Sequence, residues 1–494
     1  VRLETIDASD LTGGEPGFAL RQTLGGATNM DGFNSSTTLA IQPTENFEVL
    51  ANYSWREQHN QEDGHDRVIE NSEFELPSYL VKARYSAGDH SVTASYTNTE
   101  TTERDKPYDS FGTTGGSFGN VDRDTTSETI ALKYNYNPLT NDLINLDVIY
   151  SYANQEIDQT CIVGSGPFGC FATVDADHQY ETSKLTVKNS AFIEAGVLTH
   201  DIRAGLEYIL KERLDASSAP GGEDNRYAFF VVDNIEFGGG WSFTPALRFE
   251  TSEVEGVLDD GSNASYDNDA LMGGASLRYE FDNGIALFGS YAYTESLPIL
   301  DDLENETYMT QPEIGETVEI GGSYDRIGVF GRDDSLSIKA NFYRTDLEDN
   351  TSYSGVDSVE LSGLELEGSY ARRDGTYVDV NANIIDGEQT NTTGTKSDWR
   401  NLTADSMRVT LGKRFSPLAD LSTEFVAAAD DEINDRPGYV TVNLRATITP
   451  QEGVLEGTSF RFGIENALDM NYMPALATRT AAGRNIKFTV SKSF

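Results

Sequence analysis

Apolar and polar residues alternate along most of this chain. The last ten residues, NIKFTVSKSF, place four apolar side chains on one face: Ile486, Phe488, Val490 and Phe494. The residues between them are polar, and only Lys492 interrupts the apolar face. A period of two over this length predicts a β-strand with one apolar side. The chain therefore ends in a strand whose apolar face needs an apolar neighbour.

The same alternation recurs in 22 segments of the sequence. Segments such as INLDVIYSYA and YVTVNLRATI keep apolar residues on one face and polar residues on the other. We predict strands near residues 17–26, 35–43, 46–55, 78–87, 90–100, 127–137, 143–154, 182–192, 199–210, 226–237, 241–250, 272–281, 284–295, 316–325, 335–345, 360–372, 376–386, 406–415, 420–429, 438–448, 459–468 and 485–494.

The connections between these segments alternate between short and long. Short ones include QPTE, SAGD, FDNG and RRDG, and long ones include REQHNQEDGHDRVIENSEFELP and TESLPILDDLENETYMTQPEIGE. An even number of strands with the long loops at one end is typical of an outer-membrane barrel, whereas a soluble sandwich has no reason to separate them. We predict an all-β fold, a transmembrane antiparallel β-barrel of 22 strands over residues 17–494, with short periplasmic turns and long extracellular loops. Its last strand is expected to pair with its first, which leaves no open edge.

Composition agrees with a membrane barrel and narrows the partners. Apolar residues make up 38% of the 494 residues, which is low for a soluble protein of this size. The 81 acidic residues against 36 basic ones give a net charge of −45, so no nucleic-acid partner is expected. Negative loops favour cations over anionic chelates and bind divalent ions that bridge lipopolysaccharide. A general adaptation to salty surroundings explains the charge equally well.

Two cysteines and one acidic segment carry local chemistry. Cys161 and Cys170 enclose the Gly-rich loop CIVGSGPFGC, which predicts a disulfide in an oxidising compartment, with free thiols as the alternative. The segment DDGSNASYDND at 259–269 has the oxygen-rich composition of a calcium loop but lacks the spacing of an EF-hand. Calcium in the acidic loops is therefore one interpretation, and a plain solvated loop is the other.

Three stretches resemble the TonB-dependent outer-membrane receptors. FRFGIENALDMNYMP (460–474) is similar to the family's N-L-F-D-x-x-Y-x-P pattern at these positions: Asn466, Leu468, Asp469, Tyr472 and Pro474. AAGRNIKFTVSKSF resembles the closing strand of the family, with its signature residues in place: Gly483, Arg484 and Phe494. VELSGLELEGSYAR (359–372) resembles its G-x-E-L-E strand. The resemblance covers nearly the whole chain, and its specific motifs are C-terminal.

Within that family the haem and haemoglobin receptors look most similar. YAYTESLPILDDL (291–303) lies where those receptors carry F-R-A-P-x-L-x-E-L, and QPEIGETVEIGGSY (311–324) lies where they carry N-L-K-P-E-T-S-x-x-Y-E-L-G. The family typically has a haem-ligating His between the two boxes, but residues 296–316 contain none. Tyr308 and Met309 are then the available axial ligands in this loop.

The resemblance also implies a plug and a set of partners. Receptors of this family hold an N-terminal plug inside the barrel, and a short box before it engages TonB. We expect residues 1–16 to link to an upstream plug that this chain does not contain, with an open pore as the alternative. The implied partners are TonB–ExbB–ExbD, lipid and lipopolysaccharide of the Gram-negative outer membrane, and a nutrient or a haem-carrying protein.

Three histidines and several aromatic residues are candidates for ligand binding. His59 and His65 lie in the first large loop and His178 lies in DADHQYET, where imidazole can ligate haem iron or another metal. Rings near the extracellular ends, such as Tyr291 and Tyr353, can stack on a flat ligand, although solvated loops and girdle packing are the plain alternatives. The predicted ligand-binding residues are His59, His65, His178, Tyr293, Tyr308, Met309 and Trp399, and the sequence assigns no metal to them.

The sequence favours transport over catalysis. It contains no Ser-His-Asp arrangement, zinc motif or phosphate loop that we can defend, and a barrel lipase would need far fewer strands. The leading hypothesis is a TonB-dependent transporter that binds an iron chelate or haem in its extracellular loops, with no intrinsic cofactor. The alternatives are uptake of a non-iron nutrient such as an oligosaccharide or cobalamin, a plugless passive pore, and a barrel that carries a surface partner on its loops.

Overall fold

The computed structural model describes residues 5–108, 118–167, 169–170, 174–216, 220–350 and 355–494. Antiparallel pairing joins 23 strands into one sheet, and 22 of them form a closed barrel, as the sequence predicts. The strand β20 only extends the loop after β19, and β4 and β5 form a separate hairpin within a loop. Among the described residues, no helix combines the length and the apolar character that a membrane crossing needs.

The elements follow one another in simple up-and-down order. The strands are β1 (Gly17–Ala27), β2 (Gly32–Thr44), β3 (Phe47–Gln58), β4 (Gln61–Glu62), β5 (Val68–Ile69), β6 (Phe74–Ala87), β7 (His90–Pro107), β8 (Asn120–Tyr136), β9 (Leu146–Cys161), β10 (His178–Ala195), β11 (Leu198–Ala216), β12 (Gly222–Gly238), β13 (Trp241–Val257), β14 (Asn263–Glu280), β15 (Ile285–Ser296), β16 (Glu313–Ile327), β17 (Ser335–Glu348), β18 (Val356–Ala371), β19 (Thr376–Asn391), β20 (Lys396–Asp398), β21 (Ser406–Phe415), β22 (Ala419–Ala428), β23 (Tyr439–Ile448), β24 (Thr458–Glu465) and β25 (Asn485–Ser493). The helices are α1 (Ser9–Thr12), α2 (Glu306–Met309) and three single 3₁₀ turns, Leu300–Asp302, Ser416–Leu418 and Gly453–Leu455.

The last strand closes the barrel against the first. Strands β1 and β25 pair from Arg21 opposite Ser493 to Ala27 opposite Lys487. Lys492, which interrupts the apolar face of β25, turns its ammonium back to the carbonyl oxygen of Val454 at 2.7 Å, in a periplasmic turn. Its charge therefore lies at the water boundary, where a long side chain reaches out of the apolar layer at little cost.

The outer face of the wall is apolar. Leu206, Phe229, Phe249 and Leu271 lie opposite one another on four neighbouring strands, and each exposes 41–60% of its surface. Their neighbours in sequence point the other way, and those inner side chains include Glu207 and Arg248, which form an ion pair at 2.8 Å. An apolar outer band over a polar interior is the arrangement that a lipid bilayer requires of a barrel.

Several strands extend further than predicted at their extracellular ends. Strand β13 continues to Val257 instead of ending near residue 250, and β14 begins at Asn263 instead of near residue 272. The reason is physical: above the membrane water reaches the outer face, so the alternation fades while the backbone ladder continues. Conversely, β24 ends at Glu465 rather than near residue 468, because Asn466 adopts a positive φ of 46°. The barrel wall therefore rises above the bilayer.

Residues 5–14 lie against the inner wall at the periplasmic end. Ala8 is buried with Ala19, Ala40 and Leu50, whose side chains belong to the inner face of β1–β3. Asp7 pairs with the ammonium of Lys82 at 2.5 Å and with a guanidinium nitrogen of Arg84 at 3.0 Å, and the backbone N–H of Ser9 donates to Glu48 at 2.6 Å. That residues 1–16 link the barrel to an upstream plug stays a prediction.

Candidate ligand-binding site

The segment 297–312, which we call the mouth loop, folds into the extracellular mouth of the barrel. Its Leu300, Leu303 and Met309 are almost fully buried against Val254 of β13. Val254 alternates in step with Glu250 and Arg248, so it belongs to the inner face. The loop therefore lies on the inside of the wall formed by β10–β14.

Polar contacts hold both ends of the mouth loop. Arg226 of β12 donates to the carbonyl oxygen of Pro298 at 2.9 Å, and Asn268 of β14 donates to the carbonyl oxygen of Met309 at 3.0 Å. Asn305 caps α2 by accepting hydrogen bonds from two backbone N–H groups. These hydrogen bonds hold the loop on the wall in addition to its apolar packing.

Arg213 of β11 forms the centre of a small polar cluster under the mouth loop. Its guanidinium donates to the Oδ1 of Asp301 at 2.7 Å and to the Nδ1 of His178 at 3.1 Å, and it lies 5.2 Å from the ring centroid of Tyr180. Because arginine only donates, the Nδ1 of His178 is the acceptor and carries no proton in this arrangement. The Arg213 side chain is 3% exposed, and its Nε is buried with no hydrogen-bond partner within the described part of the chain.

Below this cluster the inner wall carries a ladder of paired charges. Every arginine or lysine in it contacts at least one carboxylate of the same or a nearby strand at 2.5–3.3 Å, and the pairs are Lys184–Glu207, Arg248–Glu207, Arg248–Glu250, Arg226–Glu250 and Arg226–Asp224. Buried charges are costly unless they are paired, so this pairing lets ionic side chains line the interior. The ladder leads from the middle of the barrel to the mouth loop.

Some predicted ligand-binding residues have structural positions instead. Met309 is 0% exposed in the apolar contact with Val254, and Trp399 is 6% exposed among Val356, Val359 and their neighbours, so neither presents its side chain to a ligand. Tyr293 alternates with the exposed Tyr291, which places it on the outer face of β15, where its hydroxyl donates to Glu295 at 2.7 Å. All three residues lie at the extracellular end of the barrel, but Met309 and Trp399 are buried in loop packing and Tyr293 faces outward.

Two predicted residues do lie at the inner mouth. His178 begins β10 and belongs to the Arg213 cluster, and Tyr308 lies on α2 of the mouth loop with its side chain half-buried. Tyr353, another aromatic candidate, lies outside the described residues. His178 and Tyr308 are therefore the predicted ligands that the fold carries to the wall of β10–β14.

His59 and His65 are exposed on the loop between β3 and β6. Asp63 is buried in that loop, and it accepts hydrogen bonds from the backbone N–H of His65 at 2.8 Å and from the Nε of Arg67 at 2.9 Å. Burial alone would raise the pKa of Asp63, but the hydrogen bonds from the Arg67 side chain and from the two backbone N–H groups outweigh it and hold the pKa below its ordinary value. The ionised Asp63 thus organises this loop, and the two imidazoles remain at its surface.

The family-like motif near the C-terminus fastens the last loop to the first. Asp469 accepts from the backbone N–H of Arg484 at 2.7 Å and from its guanidinium at 3.2 Å. Gly483 donates its N–H to the carbonyl oxygen of Glu62 at 2.8 Å, and a Cβ there would lie 2.7 Å from both Asp469 and the backbone of Asp63. These motif residues build the barrel mouth.

The cysteine and calcium predictions concern two other loops. Cys161 and Cys170 form a disulfide with a Cα–Cα distance of 5.7 Å, and Cys161 packs against the buried Val121 and Val174. In the acidic segment 259–269, residues from Asn263 onward belong to β14, so their side chains point to alternate faces. Within the described ranges no three or more His, Cys, Asp or Glu side chains gather as a metal site, and calcium binding stays a prediction.

Sequence analysis missed Arg213, Tyr180, Asp301 and Arg226. Two of them could have been found, because the alternation along β11 and β12 places Arg213 and Arg226 on the inner face near the extracellular ends of these strands. Asp301 could not, because 88 residues separate it from Arg213 and no local pattern links them.

Comparison with known proteins assigns the chain to a family. The fold is that of an outer-membrane receptor barrel, and the chain belongs to the TonB dependent receptor-like, beta-barrel family, whose model matches residues 64–467. The Heme/hemopexin utilization protein C of Haemophilus influenzae is 25% identical over an aligned length of 210 residues, and the match covers 37% of this chain and 29% of that protein. The TonB-dependent heme receptor A of the same species is 21% identical over an aligned length of 469 residues, and the match covers 76% of this chain and 61% of that protein.

A solved structure shows the same fold. The hemophore receptor HasR of Serratia marcescens, a double mutant in complex with its hemophore HasA and heme, matches with a TM-score of 0.80 at 15% identity, over 99% of this chain and 82% of that chain. The chain spans less than two thirds of the length of the curated relatives it matches. It is therefore an outer-membrane barrel of this family.

Proposed function

We propose that this barrel imports haem or another iron chelate across the outer membrane, driven by TonB. The observation that carries the proposal is the mouth loop, which carries Tyr308 and folds onto the inner wall, where its Asp301 contacts the Arg213 that also holds His178, at the entrance of a polar interior. A haem-named relative that matches 76% of the chain supports haem as the cargo, and the solved receptor with its haem carrier supports a protein as its source.

Haemin titration tests the proposal directly. The purified protein in detergent should shift the Soret band of haemin and saturate at one equivalent, because a haem that enters an ordered site changes its ligand and its surroundings. Haemin in detergent micelles without the protein serves as the control for unspecific adsorption. A spectrum identical to that of haemin in empty detergent micelles would rule out haem and leave a non-haem chelate or a non-iron nutrient.

The presence of a plug needs a second experiment. We further propose that a plug upstream of residue 1 blocks the interior, since wide barrels of this size are plugged in known transporters. The protein isolated from outer membranes should then exceed 54.2 kDa by the mass of a small domain, about 12–20 kDa. A mass of 54.2 kDa without a small partner chain would instead favour a passive pore.

A further inference from the structure

We propose that Arg213, with Tyr180 and His178, is a carboxylate-binding site, and that Asp301 of the mouth loop occupies it until a carboxylate of the incoming ligand takes its place. The inference rests on the proposed function and deepens it, because it names the ligand class as a carboxylate-bearing iron chelate, such as haem with its propionates. It also assigns the mouth loop a role as a latch.

The source of its carboxylate distinguishes Arg213 from the other arginines of the wall. Arg226 and Arg248 each contact two carboxylates, and all of these belong to the strands themselves. Among the described residues, Arg213 is in ion-pair contact with one carboxylate, Asp301, which comes from the mouth loop. The backbone ladder keeps the partners within the strands side by side, whereas a loop can move away from the wall and take its carboxylate with it.

The geometry leaves binding capacity on Arg213 unused. Asp301 touches it through one oxygen at 2.7 Å, and the Nε of Arg213 has no partner in the described structure. Arginine prefers a carboxylate that accepts two parallel hydrogen bonds, so a ligand carboxylate placed across the fork would bind better than Asp301 does. The Asp301 side chain is 56% exposed while Arg213 is 3% exposed, so the loop side of the pair is the side that water and ligand reach.

Removal of Asp301 from this position would leave Arg213 without its carboxylate partner. The Tyr180 ring lies beneath the guanidinium at 5.2 Å and holds it in place, and the Nδ1 of His178 fixes a second nitrogen at 3.1 Å. The site therefore stays formed when the loop leaves. An incoming carboxylate restores the charge balance, and the loop is released in the same exchange.

Adjacent carboxylates provide the test and its control. Asp301→Asn removes the internal competitor, so haemin should bind about tenfold more tightly, and Arg213→Gln should weaken binding by at least about as much. Arg213→Lys keeps the charge without the fork, so an intermediate affinity is expected. Asp302→Asn removes a charge from the neighbouring residue, and it should leave the affinity within about twofold of wild type. Burial, together with the neighbouring Asp301, raises the pKa of Asp302, so its neutralisation does not loosen the loop.

Two readouts decide the outcome: affinity for haemin and for haemin dimethyl ester, and hydrogen exchange of residues 297–312. The exchange should speed up in Asp301→Asn but not in Asp302→Asn, and the ester, whose carboxylates are blocked, should bind all variants alike. The inference is overturned if the ester binds as tightly as haemin, or if the two Asn variants behave identically.

If wild type binds no haemin, ferric citrate replaces haemin as the probe. If ferric citrate speeds up hydrogen exchange of the mouth loop in wild type but not in Arg213→Gln, the carboxylate site is supported and haem is rejected as its ligand. If neither haemin nor ferric citrate changes the exchange, the site is rejected.

Discussion

Tyr308 and Tyr293 show how strongly the face of an element decides the role of one side chain. Tyr308 lies on the mouth loop and is half-buried, whereas the hydroxyl of Tyr293 donates to Glu295 on the outer face. A phenolate can ligate haem iron, as in catalase. We predict that Tyr308→Phe shifts the Soret and charge-transfer bands of bound haemin and weakens binding by about tenfold, because it removes the only oxygen of that side chain.

The control variants for this prediction come from the same chain. Tyr293→Phe removes an identical hydroxyl from the outer face, and His65→Ala removes an exposed imidazole from another loop. Both should leave the haemin spectrum unchanged. A spectral change in His65→Ala, with Tyr308→Phe unaffected, would move the iron ligand to the loop between β3 and β6.

The alternation of the sequence also predicts on which face of a strand a single side chain lies. Tyr293 has the same parity as Tyr291 and Leu287, whose exposed side chains belong to the apolar band, so its outward position was predictable. The burial of Trp399 was not predictable. It depends on a loop that folds back over β18 and β19, and the sequence of a loop does not reveal which wall it will cover.

At the scale of elements, the loop between β3 and β6 and the last loop stabilise each other through Asp63. Its folded-state pKa lies below the ordinary value of 3.8, so Asp63 stabilises the loop fully above that value, and the contribution is lost as pH falls through the folded pKa. We predict that hydrogen exchange in residues 59–73, corrected for its intrinsic pH dependence, speeds up only below about pH 4 in wild type.

Asp63→Asn should lower the opening free energy of the same loop at pH 7 by about 1–3 kcal/mol, because charged hydrogen bonds from Arg67 and the backbone are lost. Its exchange should then no longer respond to acid in this range. Asp66→Asn is the matched control, since Asp66 is exposed and its positive φ of 58° suits asparagine equally well. Equal effects of the two variants would show that general charge, rather than the Asp63 contacts, holds the loop.

The elements themselves were predicted well inside the membrane and less well above it. All 22 barrel strands were found in the sequence, since lipid on one side and polar groups on the other impose a period of two. The extracellular ends of β13 and β14 were missed because no apolar face is required there. These extensions of the two strands include Val254, against which the mouth loop packs. The candidate site therefore lies in the part of the sequence with the weakest alternation.

At the scale of the whole molecule, the net charge of −45 does not describe the inner wall near the mouth. On β10–β13, Lys184, Arg213, Arg226 and Arg248 are each paired with a carboxylate, so the charges balance locally beneath the mouth loop. The total charge of the sequence predicts that negative loops disfavour anionic chelates. Salt screens charges that lie more than about 10 Å from a ligand, so the charges close to the entrance decide the electrostatic interaction at short range.

The division of the wall into an outer and an inner face gives a last prediction. Leu247 belongs to the outer band, 44% exposed between Val231 and Gly273, and the adjacent Ala246 faces inward. Leu247→Arg should lower the free energy of unfolding in lipid vesicles by about 2–4 kcal/mol, since a guanidinium near the bilayer midplane loses its water. Ala246→Arg should cost far less, because its charge enters a polar interior. Guanidinium titration of the folded fraction, seen by gel mobility, measures both.

The substitution pair also separates charge from size. Leu247→Gln and Ala246→Gln introduce a polar side chain of similar length without the charge, so the difference between the two positions should shrink when Arg is replaced by Gln. If Ala246→Arg proves as costly as Leu247→Arg, the inner face is not wet at this depth and the ladder of charges does not continue into the barrel. If only Leu247→Arg fails to fold, the apolar band is the part of the sequence that inserts the protein into its membrane.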